Sequence, residues 1–101
     1  MTRPLVVRPE ALSDLLDTRD WYNERRSGLG EQFVSAAEEL LEHVRARPEL
    51  CAVVYKGTRR AKLRRFPYIV YYRVLDTRTE VLAVLHASRD SRVWKRRTRS
   101  G

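Results

Sequence analysis

Phe33, Ala36, Ala37, Leu40, Leu41 and Val44 fall at i, i+3, i+4, i+7, i+8 and i+11, the spacing that lines apolar side chains along one face of an α-helix. This stripe constrains the chain more than any other feature, because it demands a partner surface and only the flanking segments can supply one. Upstream, Leu12, Leu15, Leu16 and Tyr22 put apolar groups on one side of a helix that opens at Pro9-Glu10 and runs to about Arg26. Proline is tolerated in a first turn and an acid favoured there. Ser27-Gly28-Leu29-Gly30 breaks this helix and Pro48 closes the next. So short a link predicts an antiparallel hairpin of helices. Leu5-Val6-Val7, ahead of both, is a short β-prone run.

From Val53 onward the period changes. Arg60 to Arg65, Tyr68 to Leu75 and Glu80 to Ala87 are rich in β-branched and aromatic residues, and the links Phe66-Pro67 and Asp76-Thr77-Arg78-Thr79 are short enough for hairpins. A last hairpin symmetric about its polar link sets Val74 opposite Val81, Tyr72 opposite Ala83 and Val70 opposite Leu85. Carried across Phe66-Pro67, the same parity places Leu63 beside Val70 and Ala61 beside Tyr72. One face is then apolar and accepts the helical hairpin. The other collects Arg60, Lys62, Arg64, Ile69, Tyr71, Arg73, Leu82, Val84 and His86, and is expected to stay open. The opposite register would bury Lys62 and Arg73 under helices, which is costly. Ser88 to Arg97 prolongs the charge run with one large aromatic, Trp94, and reads as a frayed basic tail or a short helical turn.

The expected architecture is therefore α+β, with order β-α-α-β-β-β, an antiparallel sheet packed on a helical hairpin and a basic C-terminal tail, in one domain over residues 1–101. At 101 residues a second domain has no room. With 43% hydrophobic residues in patterned runs against 34% charged, disorder is a poor reading. Cys51 stands alone, and His43 and His86 lie too far apart for metal-ligand spacing, so neither a disulfide, a metal nor a cofactor is expected. No apolar run approaches the ~20 residues that span a bilayer. Met1-Thr2-Arg3-Pro4 lacks the apolar stretch of a secretory signal. The expectation is a cytoplasmic protein with no membrane partner.

Charge is unevenly divided. Residues 1–50 carry 7 Lys/Arg against 10 Asp/Glu, whereas residues 51–101 carry 14 against 3, so the net +8 belongs to the second half. Such polarity attracts a polyanion or an acidic protein and speeds the encounter. Most of the cations are Arg, whose planar fork suits phosphate and carboxylate.

Three segments carry a family resemblance: Asp20-Trp21-Tyr22 with Gly28-Leu29-Gly30-Glu31-Gln32-Phe33; Leu63 to Val74; and Val84-Leu85-His86-Ala87-Ser88-Arg89-Asp90. In this order they resemble the RelE/ParE family of bacterial type II toxin-antitoxin toxins over nearly the whole chain. The resemblance implies a small cytosolic toxin neutralised by an acidic antitoxin, within a toxin-antitoxin hetero-oligomer. It leaves two activities open. ParE-like members are associated with inhibition of DNA gyrase, whereas RelE-like members are ribosome-dependent mRNA endonucleases that use no metal. Arg60, Lys62 and Arg89 fall where RelE-like nucleases carry basic residues. Ile69 replaces an arginine of that set, and its C-terminal tyrosine has no counterpart near Trp94 and Lys95. The Leu-His-Ala-Ser-Arg-Asp ending and the Gly-Leu-Gly link look more ParE-like, so the resemblance favours a non-enzymatic gyrase inhibitor.

Candidate site residues follow. Arg60, Lys62, Arg64, Arg73 and Arg89 are expected to contact nucleic acid or the target, although a charge run on a half-exposed sheet ordinarily faces water. A nuclease would use Arg60, Lys62 and Arg89 to stabilise phosphate, with His86 or Tyr71 moving the proton. A histidine near a strand end more often makes a structural hydrogen bond. Trp21 and Trp94 are expected partner contacts. Asp14, Asp17, Asp20, Glu38, Glu39 and Glu42 read as ordinary helix surface.

Overall fold

The apolar stripe of the second helix lies against a five-stranded sheet. The structure, a computed structural model, describes residues 3–98. Its elements are β1 (Leu5–Val7), α1 (Pro9–Arg25), α2 (Leu29–Ala46), β2 (Val53–Tyr55), β3 (Thr58–Lys62), β4 (Tyr68–Val74), β5 (Thr79–His86) and α3 (Ser91–Arg97). The strands lie in the order β1-β5-β4-β3-β2. The fold is α+β as expected, but the sheet is mixed: β1 enters parallel to β5, while the other neighbours pair antiparallel.

The helical hairpin forms because its link suits a sharp reversal. Gly28 adopts φ 87°, left-handed geometry that glycine takes without steric cost. Gly30 lies against the backbone of α1, and a Cβ built on it would fall 2.2 Å from the Arg19 carbonyl oxygen. Asn23 Oδ1 accepts from the Gly30 N–H at 2.7 Å, satisfying one of the orphan donors at the start of α2. Ala11, Phe33, Ala37 and Val44 then pack against Ala61, Leu63, Val70, Tyr72, Val81 and Val84. Tyr22 and Phe33 lie 5.1 and 5.5 Å from the Phe66 ring, both edge-on, the favoured aromatic geometry.

An additional strand, β2, extends the meander. Lys56 and Gly57, with φ 43° and 75°, make the two-residue turn of positive φ that matches strand twist. The connection from α2 is held by Tyr72, whose hydroxyl donates to Pro48 O at 2.7 Å, and by Arg59, which donates to Cys51 O at 2.6 Å.

Register departs from the symmetric expectation. Val70 lies opposite Val84, Tyr71 opposite Ala83, Tyr72 opposite Val81 and Val74 opposite Thr79, with a bulge in β5 between the second and third pairs. On β3, Ala61 lies opposite Val70, an offset of two that leaves its face unchanged. The bulge does change faces. Val81 and Val84 both meet the helical hairpin, whereas Ala83 and Leu85 point to the other side with Ile69 and Tyr71.

That other side is not open, contrary to expectation. Its apolar members would meet water, and α3 covers them through Trp94, which is 6% exposed and stacks on Tyr71 with centroids 4.5 Å apart and planes at 13°. Tyr55 closes the cluster edge-on to Trp94 at 5.9 Å. Asp90 caps α3, its carboxylate accepting from the Arg92 N–H at 2.9 Å. Trp94 is thus part of a second small core rather than a partner contact on a tail. Residues 99–101 of the basic tail lie outside the described residues. No helix among the described residues is long and apolar enough to cross a membrane.

Candidate functional site

The residues expected to share one open face are distributed over three environments. Arg73 is tied down: its Nη2 lies 2.9 Å from Glu80 Oε1, and its Nη1 donates to Thr98 O at 3.2 Å, fastening the end of α3 to the sheet. Arg78 Nε donates to the other Glu80 oxygen at 2.8 Å. Burial alone would raise the Glu80 pKa, but hydrogen bonds and charge from Arg78 and Arg73 outweigh it and hold the carboxyl below its ordinary value. Arg73 is therefore a structural fastener, not an open cation.

The proton-transfer candidates are separated as well. Tyr71 lies beneath Trp94 and is 4% exposed; burial pushes its hydroxyl pKa up, partly opposed by the charge of Arg60. A buried phenol with a raised pKa is a poor base near neutral pH. His86 pairs with Tyr68, their rings edge-on with centroids 5.3 Å apart. Because the bulge shifted β5 parity, His86 follows Val84 to the helical-hairpin side and is not beside Arg60, Lys62 or Tyr71. Its Nδ1 accepts from the Ser88 N–H at 3.0 Å and lies 2.7 Å from Ser88 Oγ, so the neutral ring carries its proton on Nε2. The contacts are those of a local turn.

The remaining cations are exposed. Arg60 stands opposite Tyr71 on β3, and Arg89 sits in the turn after β5, its N–H donating to His86 O at 2.9 Å. Lys62 and Arg64 reach a groove of about 730 Å³ between α2 and the end of β3, lined also by Arg65, Ala36, Glu39, Leu40 and His43. Arg65 was not among the sequence candidates. It takes φ 66°, which lets Phe66 turn into the core while Arg64 and Arg65 stay in solvent. The signal was present in Arg64-Arg65-Phe66-Pro67, two cations next to an apolar anchor at a turn.

Trp21 remains exposed, at 46%, with the Arg25 guanidinium 3.5 Å above its ring. On the outside of the hairpin, Leu12, Leu15, Leu16, Val34 and Leu41 line a second, more apolar groove of about 460 Å³. Among the described residues, no group of three or more His, Cys, Asp or Glu could hold a metal ion.

The sequence model of the family described as ParE toxin of type II toxin-antitoxin system, parDE, matches residues 5–91. A solved chain from a chromosomal ParDE toxin-antitoxin system of P. aeruginosa has the same fold, with a TM-score of 0.65 at 20% identity over 84% of this chain and 96% of that one. No curated protein matches the sequence.

Proposed function

The chain belongs to the ParE toxin family of type II toxin-antitoxin systems, and we propose that it acts by binding and inhibiting DNA gyrase until an acidic antitoxin neutralises it. The observation that carries this reading over catalysis is the bulge in β5, which sends His86 to one face of the sheet while Arg60 and the covered Tyr71 belong to the other. Arg60, Lys62, Arg64, Arg65 and Arg89 are accessible cations, while the exposed His86 is engaged by Ser88 in its own turn, on the face opposite Arg60. Such cations steer an anionic target and are screened by salt.

An antitoxin partner is supported by the similar chain, which comes from a ParDE toxin-antitoxin system. The acidic partner would meet the cations of the second half, and an apolar segment of it would find exposed leucines on the helical hairpin. The working form is then a toxin-antitoxin hetero-oligomer in the cytoplasm. The second reading, a ribosome-dependent mRNA endonuclease, is favoured by Arg60 and Lys62, which both lie exposed on β3. Expression in a bacterial host separates the two. Growth arrest with loss of negative supercoiling in a reporter plasmid supports gyrase inhibition, while arrest with codon-positioned mRNA cuts and normal supercoiling would overturn it.

A further inference from the structure

The groove between α2 and β3 has a wall of unusual composition. β2 pairs only with Thr58 and Arg59, so from Arg60 onward the outer side of β3 has no strand beside it and faces the groove instead. Lys62, Arg64 and Arg65 line this side, and among the described residues none of them makes an ion pair. Three like charges share this groove with one carboxylate, Glu39, that pairs with none of them, and their mutual repulsion is a cost that an anionic ligand would reduce. Arg65 also holds a left-handed φ of 66°, a conformation that β-carbon sterics disfavour. Strain of this kind gathers at binding sites.

The rest of the lining selects among anions. Ala36 and Leu40 are half-buried and offer apolar surface between the basic wall and α2. Glu39 stands on the α2 wall, where it would repel a phosphate chain, and no Phe, Tyr or Trp ring lines the groove for a base to stack on, the imidazole of His43 being its one flat ring. We propose that this groove binds an acidic peptide segment of the antitoxin, with an apolar side chain over Ala36 and Leu40, carboxylates toward Lys62, Arg64 and Arg65, and a neutral or basic side chain toward Glu39. The assignment rests on the reading of the chain as a toxin with an acidic partner.

The test uses the full chain and a short fluorescent peptide of alternating leucine and glutamate, with binding followed by anisotropy, and a labelled single-stranded RNA of similar length as the competing probe. Lys62→Glu with Arg64→Glu should weaken peptide binding by at least about tenfold. Arg26→Glu with Arg47→Glu, an equal charge change at exposed positions outside the groove, should change it by less than about twofold. Glu39→Gln should tighten it. The gentler Lys62→Gln with Arg64→Gln should give an intermediate loss, which keeps the test decisive if the glutamate pair fails to fold. Equal losses from both charge-reversing pairs, no peptide binding at all, or a preference for RNA abolished by the groove pair would each overturn the assignment. Growth arrest by the wild-type chain involves no peptide, so it reports on the toxin reading separately.

Discussion

Asp14 on α1 and Arg97 on α3 meet around the open edge of β5, with Arg97 Nη1 2.6 Å from Asp14 Oδ2 and Nη2 3.3 Å from Oδ1. β1 accompanies β5 only as far as Val81, and beyond it this ion pair stands where a strand would. Arg97 donates to Leu82 O at 3.0 Å, and Asp14 accepts from the Val84 N–H at 2.9 Å. The pair therefore joins the elements on the two faces and satisfies backbone groups at the bulge. Its side chains are 13% and 19% exposed, so removing one leaves the other largely desolvated. Asp14→Ala should cost about 2–3 kcal/mol in urea unfolding, and Arg97→Ala a similar amount. The double variant should cost less than the two together, because both remove one network.

Gly30→Ala tests the helical hairpin. The added methyl would need the Arg19 carbonyl, 2.2 Å away, to retreat, and that oxygen belongs to the α1 backbone. A loss of about 2 kcal/mol is expected, since overpacking against backbone relaxes poorly. Gly28→Ala has open space around it and is opposed only by its φ of 87°, so about 1 kcal/mol is expected. Thermal unfolding of the two variants side by side checks the order.

Acid should loosen α3 and its attachment. Glu80 has a pKa below its ordinary 4.5 in the folded chain, and Asp90 is lowered to about 2 by its hydrogen bonds from the Arg92 side chain and N–H. A depressed folded pKa contributes stability that is complete above the unfolded value and lost as pH falls through the folded one. Urea midpoints should therefore hold near neutrality and decline below pH 4.5, continuing toward about 2. Glu80→Gln should lower the midpoint at neutral pH and flatten the decline. A midpoint that falls just as steeply in this variant would assign the acid sensitivity elsewhere.

Periodicity made the hairpin of helices legible, because Phe33 to Val44 repeats without interruption and Gly28 marks the reversal. Parity also placed Ala61, Leu63, Val70 and Tyr72 on the hairpin face. It failed on β5, where every residue from Thr79 to Leu85 is buried, so no polar alternation reveals where the bulge falls. That single unreadable residue decides the side on which His86 lies. Asp14 was indistinguishable from its solvated neighbours, since its partner is 83 positions away. Trp94 looked like an aromatic on a charged tail because the surface that receives it, Tyr71 and Leu85, is assembled only by strand pairing.

If the separation of His86 from Arg60 and Tyr71 is functional, toxicity should not depend on acid-base groups. His86→Ala and Tyr71→Phe should arrest growth as the parent does when expressed to equal soluble levels. Tyr71→Phe keeps the ring under Trp94, so its fold should be preserved. Loss of arrest in a folded His86→Ala protein, together with loss of mRNA cuts that the parent makes, would restore a catalytic role to that side chain.

The most direct measurement adds the purified protein to DNA gyrase supercoiling a relaxed plasmid, in parallel with primer extension on translating ribosomes. The account predicts inhibited supercoiling that weakens as salt is raised, with intact message on the ribosome. Unimpaired supercoiling together with codon-positioned cuts that disappear in Arg89→Ala would contradict it.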